Sequence, residues 1–378
     1  MREVSPRPLA ELTTLRVGGT PARMLEATTR EELIAAMTQI WADREPWLVI
    51  GGGSNLLVGD DPFDGTAVLV RSRGIARIPS DREDRVRLRV QAGHDWDDLV
   101  AHTVTAGLRG IEAMSGIPGT VGAAPIQNIG AYGQEIVETL VEVELLDEDT
   151  GEVEIVPAAE LELGFRTSVL KAHYGHGARR RGVIISVTLE LADVGQVDIP
   201  VGGLQLRNAL GLTAEDEVSL GWIRETVLAT RARKGMVLDD SDPDTFSAGS
   251  FFQNAVVSAS FARTLPDACP RWPLQVELDA VQVIPLESYA GLVTPPLSEQ
   301  PDVKVSAAWL IEHAGLRKGF RLPHSRAGLS TKHALALTNR GGATAAEVAE
   351  LARYVQLRVQ SEFGLLLQPE PILIGVEL

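Results

Sequence analysis

Residues Ile117 to Gly133 read IPGTVGAAPIQNIGAYG, with four glycines, two prolines and no charged side chain. Glycine and proline cost too much inside an α-helix for this stretch to be one. It is too apolar for an idle surface loop, and it lacks the periodicity that would bury one face. Two readings remain: a buried structural loop, or a wall that another molecule covers. As a wall, Pro118 and Pro125 would stiffen it and the glycines would bring its backbone close to a ligand. Gln127 and Asn128 would offer amides that both donate and accept. Uncharged walls with polar amides suit a large flat cofactor carrying a pyrophosphate.

A second glycine-rich segment, Gly51-Gly52-Gly53-Ser54-Asn55, follows the apolar run Trp47-Leu48-Val49-Ile50. Consecutive amides in such a loop can converge on phosphate oxygens. Neither GxGxxG nor a following GK[ST] is present, so a Rossmann fingerprint and a P-loop are both unsupported. Taken alone, the segment reads as a tight turn.

At 378 residues the chain should divide into two or three packed units. Its 44% hydrophobic and 23% charged residues are ordinary for a globular protein, and no apolar run reaches the length of a membrane span. The formal net charge of −16 disfavours a sequence-independent grip on nucleic acid, though not a small phosphorylated ligand held locally. A single cysteine, Cys269, excludes an internal disulfide and thiolate metal clusters. The N-terminal residues lack a signal-peptide apolar region, so a cytoplasmic location is expected. His173 and His176 have no convergent carboxylate or thiol in the sequence, so they read as a solvated loop and no metal is expected.

Periodicity and capping give an alternating α and β pattern. A capping box at Thr28/Glu31 or Thr29/Glu32 predicts a helix over TTREELIAAMTQI. Strands are expected at 47–50, 67–72, in RVRLRV and at 182–191, with a hairpin turning at Asp149-Thr150-Gly151. Helices are expected at 96–107, up to Gly235 in LGWIRETVLATRARKG, and at 306–315 with Ser306 as cap. The clearest helix begins at the Thr344/Glu347 capping box and puts Val348, Leu351, Val355 and Val359 on one face. Residues 372–374 read as a final strand. The fold class is α+β.

Six motifs occur in order: GGGSNLLV, SGIPGTVGAAPIQNIGAYG, GFRTSVLK, SAGSFFQN, SAAWLIEHAGLRKGFR and LQPEPILIG. Together they resemble the UDP-N-acetylenolpyruvoylglucosamine reductase family, from about Leu15 to the C-terminus. The resemblance implies a vanillyl-alcohol-oxidase-type FAD-binding portion of two subdomains, expected at 1–72 and 73–232. A C-terminal α+β substrate-binding domain is expected at 233–366, and 367–378 should return to the FAD-binding portion. It further implies NADPH as electron donor, UDP-N-acetylglucosamine enolpyruvate as substrate, and a monomer.

Residue by residue, the resemblance gives three chemical groups. Ser250 matches the family's proton donor, Arg166 the arginine that stabilises the enolate, and Glu370 the glutamate that assists polarisation or proton handling. FAD is expected against Gly51, Gly52, Gly53, Ser54 and Asn55, and against Ile117, Pro118, Gly119, Gly122, Ala123, Gln127, Asn128, Gly130 and Ala131. Tyr132, Lys234, Asn254 and His313 match substrate-side positions. Two departures stand out: Val201-Gly202-Gly203-Leu204 replaces a segment that usually carries a lid tyrosine, and His313 stands where a glutamine is usual. Two rival readings are a flavin oxidase of the same superfamily and a catalytically silent sugar-nucleotide sensor.

Overall fold

The capping signals start helices where the sequence places them. In the computed structural model, which describes residues 1–172, 177–274 and 302–378, the Thr29 hydroxyl accepts from the Glu32 amide and opens helix Arg30–Ala42. Thr28 bonds the Glu32 carboxylate from the other side. Thr344 and Glu347 form a reciprocal capping box at the start of Ala345–Phe363, whose Val348, Leu351, Val355 and Val359 are fully buried. Asp95 caps Trp96–Thr105, Ser219 caps Leu220–Arg233, and Ser306 caps Ala307–His313. Each cap satisfies amide donors that a helix start otherwise leaves unpaired.

Two sheets carry the first half of the chain. In the first, the neighbours run Arg2–Val4, Pro21–Ala27, Phe63–Val70 and Trp47–Ile50, the last three mutually parallel. The strand expected at 67–72 begins earlier, at Phe63, and ends at Val70. The second sheet is antiparallel, in the order Val153–Pro157, Leu140–Asp147, Gly182–Asp193, Arg85–Gln91, Ile75–Ile78. Its hairpin turn is held by the Asp147 carboxylate, which accepts from the amides of Asp149 and Thr150. Leu25 and Val68 of the first sheet share a core cluster with Val183 and Ile185 of the second.

A separate core gathers residues between Phe251 and Leu367, together with Leu15, Val17 and Leu57. Around it lie the helices Ala307–His313 and Ala345–Phe363 and small antiparallel ladders, among them Val303–Val305 between Ala255–Val257 and Arg271–Pro273. The chain then returns: Ile372–Ile374 pairs in parallel with Leu56–Val58, directly after GGGSN. The architecture is α+β. His173 and His176 lie outside the described residues. Among the described residues, no helix is long and apolar enough to cross a membrane.

Candidate functional site

The stretch Ile117–Gly133 forms two single 3₁₀ turns, Val121–Ala123 and Pro125–Gln127, and a short strand, Gly130–Ala131. Its apolar residues are covered differently from the expectation of an external partner over the whole segment. Val121 and Ala124 are buried in the protein's own core, whereas Ala123 is exposed and Ile117, Pro118 and Gly119 are partly so. The wall therefore has an inner and an outer side. Asn128 belongs to the inner one: its amide donates to Glu135 and to the Gly164 carbonyl and accepts from the Val137 amide. With its side chain used up inside the protein, Asn128 can offer a cofactor only main-chain contact.

The two glycine-rich segments pack on each other. A Cβ on Gly52 would stand 2.6 Å from the Gly119 Cα, a contact that only glycine allows. The Ser54 hydroxyl donates to the Pro118 carbonyl at 2.7 Å, and Asn55 Nδ2 donates to Gln127 Oε1 at 2.5 Å. Gly53 has φ 62°, where its missing Cβ avoids the Leu12 carbonyl. This explains why these glycines are glycine on packing grounds alone. It leaves Gly52 exposed at the edge of an open cleft of about 500 Å³ that also involves Thr13, Thr14 and Arg16.

GFRTSVLK runs alongside the wall and bonds it repeatedly. Arg166 donates to the carbonyls of Asn128 at 3.0 Å and Gly130 at 2.7 Å, and Ser168 donates to that of Ile126 at 2.6 Å. Lys171 Nζ donates to Gln127 Oε1 at 3.0 Å. Arg166, Asn128 and Tyr132 all adopt positive φ, at 57°, 46° and 54°. Side chains other than glycine seldom accept that region, and clusters of such residues mark sites where geometry outweighs local preference.

A short main-chain pairing brings in the stretches that carry the other two expected chemical residues. The Glu370 amide donates to the Phe251 carbonyl at 2.8 Å and the Gln253 amide to that of Gln368 at 3.0 Å, so Ser250 enters beside Glu370. Arg166 Nε lies 3.3 Å from the Glu370 carboxylate, and both side chains are mostly enclosed. Burial pushes the Glu370 carboxyl up, against the pull of Arg166 and Lys171. Thus Arg166 and Glu370, far apart in sequence, meet, and Ser250 stands one residue from the Phe251–Glu370 pairing.

Ser250 Oγ lies 3.4 Å from His333 Nε2. Burial, and then the charges of Lys234, Lys318 and Arg231, pull His333 down to about 4, so its ring is neutral near pH 7. Lys234 caps the helix Leu220–Arg233, and its ammonium lies 5.6 Å from the centre of the Tyr132 ring. Burial, and then the charges of Arg231, Arg233 and Lys318, also lower Lys234. A neutral imidazole surrounded by cations makes this side of the site suited to an anion.

The remaining expected residues are placed differently. Asn254 accepts from the Ala307 amide at 3.0 Å and so fixes a helix start. His313 is exposed, stacked on Trp309 at 3.7 Å between ring centres, with Nδ1 2.8 Å from the Trp309 carbonyl. Val201 is buried in the core and cannot cover a ligand, whereas Leu204 next to it is 65% exposed. The individual roles of Lys171, His333 and Arg231 were not read from the sequence. Lys171 ends one of the matched motifs, which was the available signal; His333 and Arg231 gave none, because their partners are remote in the chain.

The outer wall fits a flavin dinucleotide on two counts. Arg231 Nε is buried with no protein hydrogen-bond partner, and Arg231 lines a second cavity with Pro118, Thr14 and Gly249. Gly249, at φ 73°, has nothing within 4 Å of where a Cβ would stand, which leaves open space beside Ser250. A buried guanidinium whose Nη2 is held by the Gly116 and Met236 carbonyls while its Nε has no partner, next to an uncharged, glycine-lined opening, matches a cofactor with carbonyl and phosphate oxygens.

These features define an FAD-binding oxidoreductase, and the comparisons agree. Residues 21–156 match the family model described as FAD binding domain, and residues 242–374 match the C-terminal domain of UDP-N-acetylenolpyruvoylglucosamine reductase. The chain is 51% identical to the UDP-N-acetylenolpyruvoylglucosamine reductase of Leifsonia xyli subsp. xyli, covering 99% of both chains. It is 44% identical to that of Thermobifida fusca, covering 98% of both. The crystal structure of the reductase from Thermus caldophilus superposes with a TM-score of 0.59 at 26% identity, covering 99% of this chain and 100% of that one. The chain belongs to the UDP-N-acetylenolpyruvoylglucosamine reductase family: it is a flavin-dependent oxidoreductase of peptidoglycan precursor synthesis.

Proposed function

We propose that the protein reduces UDP-N-acetylglucosamine enolpyruvate to UDP-N-acetylmuramate with NADPH as electron donor. The observation that carries this reading is the Arg166–Glu370 contact, tied through the Phe251–Glu370 pairing to Ser250, whose neighbour Gly249 lines an opening with Pro118. FAD held against the two glycine-rich segments would supply the hydride chemistry that links the nicotinamide to the vinyl carbon of the substrate.

Hydride addition leaves negative charge next to the substrate carboxylate. Arg166 answers it with a guanidinium fixed by two carbonyls, already oriented before charge develops. Ser250 gives its hydroxyl proton to the adjacent carbon. A serine is a weak acid, so its placement rather than its acidity does the work. Glu370, raised by burial, stays protonated further up the pH scale than a free glutamate and repels the enolate less. Lys234 and Tyr132 bind the anionic nucleotide portion of substrate or cosubstrate, while Asn254 serves by fixing the start of Ala307–His313, on which His313 stands.

On the same reading, residues 1–72 and 73–232 hold FAD, 233–366 hold the sugar nucleotide, and 367–378 return Glu370 to the flavin side. The enzyme works as a cytoplasmic monomer. The test is direct: under anaerobic conditions FAD-loaded protein should consume NADPH beyond one equivalent per flavin only when the enolpyruvyl sugar nucleotide is added. Flavin reduction by an alcohol and reoxidation by oxygen, with no NADPH consumed, would instead support the oxidase reading, and tight sugar-nucleotide binding without turnover the sensor reading.

A further inference from the structure

Lys171 is 7% exposed, an unusual place for an ammonium group. Its Nζ donates to Gln127 Oε1 at 3.0 Å and to the Glu370 carbonyl at 2.9 Å. Asn55 Nδ2 donates to the same two oxygens, at 2.5 and 3.4 Å. Two donors and two acceptors thus close a ring that ties GGGSN, the uncharged wall, GFRTSVLK and the final segment together. Asn55 already supplies neutral donors to both oxygens, so hydrogen bonding alone does not require a lysine. What Lys171 adds is a buried positive charge that interacts with the Glu370 carboxyl and with Arg166. A buried cation is costly to keep, and a neutral side chain would tie the ring at lower cost.

We propose that Lys171 is a positioning residue for the reduction of the sugar nucleotide, holding Glu370 against the flavin wall and acting through its charge on the Glu370 carboxyl. The inference rests on the function proposed above. Burial pulls Lys171 down to about 8, with Glu370 raising it and Arg166 lowering it. The ammonium is therefore present below that pH and lost as pH rises through it. An arginine at this position keeps its charge over the whole range, so Lys171→Arg separates loss of the ammonium from every other titration in the site.

The test compares the wild-type holoenzyme with Lys171→Arg and Lys171→Met. Each half-reaction is followed separately by stopped flow from pH about 6 to about 10. Lysine-Cε NMR of the protein gives a readout independent of turnover. For the wild type, one lysine should titrate near 8, and flavin reoxidation by the enolpyruvyl sugar nucleotide should fall over the same range. Lys171→Arg should lack both that resonance and the alkaline limb. Lys171→Met should slow reoxidation by about 10²-fold with flavin reduction by NADPH changed less than about threefold. An alkaline limb that persists in Lys171→Arg, or equal loss in both half-reactions of Lys171→Met, overturns the role. If Lys171→Met does not hold FAD, the Lys171→Arg profile and the resonance decide alone. A wild-type flavin that the sugar nucleotide never reoxidises overturns the proposed function itself, which is a separate and recognisable result.

Discussion

Arg166 Nε stands 3.3 Å from the Glu370 carboxylate while the same guanidinium donates to the carbonyls of Asn128 and Gly130. Three directions of bonding from one planar group fix it before any substrate arrives. A lysine offers one point charge and cannot reproduce the fork. Arg166→Lys should therefore retain FAD but slow reoxidation of reduced flavin by the sugar nucleotide by about 10²- to 10³-fold. Single-turnover absorbance measurements check this, and a loss below about tenfold would show that the fork is dispensable.

Ser250→Ala should leave flavin reduction by NADPH nearly unchanged and slow the second half-reaction by orders of magnitude. Its hydroxyl lies 3.4 Å from His333 Nε2 and the residue is only half-buried, so its loss removes a proton donor without creating a cavity in the core. Equal slowing of both halves would instead make Ser250 a structural residue.

Gly52→Ala tests the packing of the two glycine-rich segments. The added Cβ would meet the Gly119 backbone at 2.6 Å, so the wall must move. A loss of about 1–3 kcal/mol in stability is expected. Calorimetric unfolding and FAD titration should both report it, and a variant with wild-type values would show that the loops yield freely.

How much of this was legible in the sequence varied with how local the cause was. Thr29, Asp95, Ser306 and Thr344 each declare a helix start within three residues, so those helices were readable. The wall at 117–133 was readable as non-helical and glycine-dependent, but not as half inner and half outer, because burial of Val121 and Ala124 depends on strands far away. Arg166, Ser250 and Glu370 could be singled out only through ordered motifs. Nothing local predicts the pairing of Phe251 with Glu370, and nothing local marks His333.

His333 makes a pH prediction with a definite sign. Its folded pKa lies near 4, against an ordinary value of 6.5, so the unfolded chain binds the proton first. The stability it contributes is complete above about 6.5 and is lost as pH falls toward 4, by at most about 3 kcal/mol. His333→Gln should remove that part of the acid sensitivity. Thermal midpoints of the two proteins should converge as pH falls if the wild type starts higher, and parallel curves would contradict the assignment.

The most direct measurement is one anaerobic absorbance experiment on the FAD-loaded protein. NADPH should bleach the flavin band, and UDP-N-acetylglucosamine enolpyruvate should restore it with formation of UDP-N-acetylmuramate. A flavin that NADPH bleaches but the sugar nucleotide leaves reduced would contradict the account, because Arg166, Ser250 and Glu370 would then have been brought together for some other reaction.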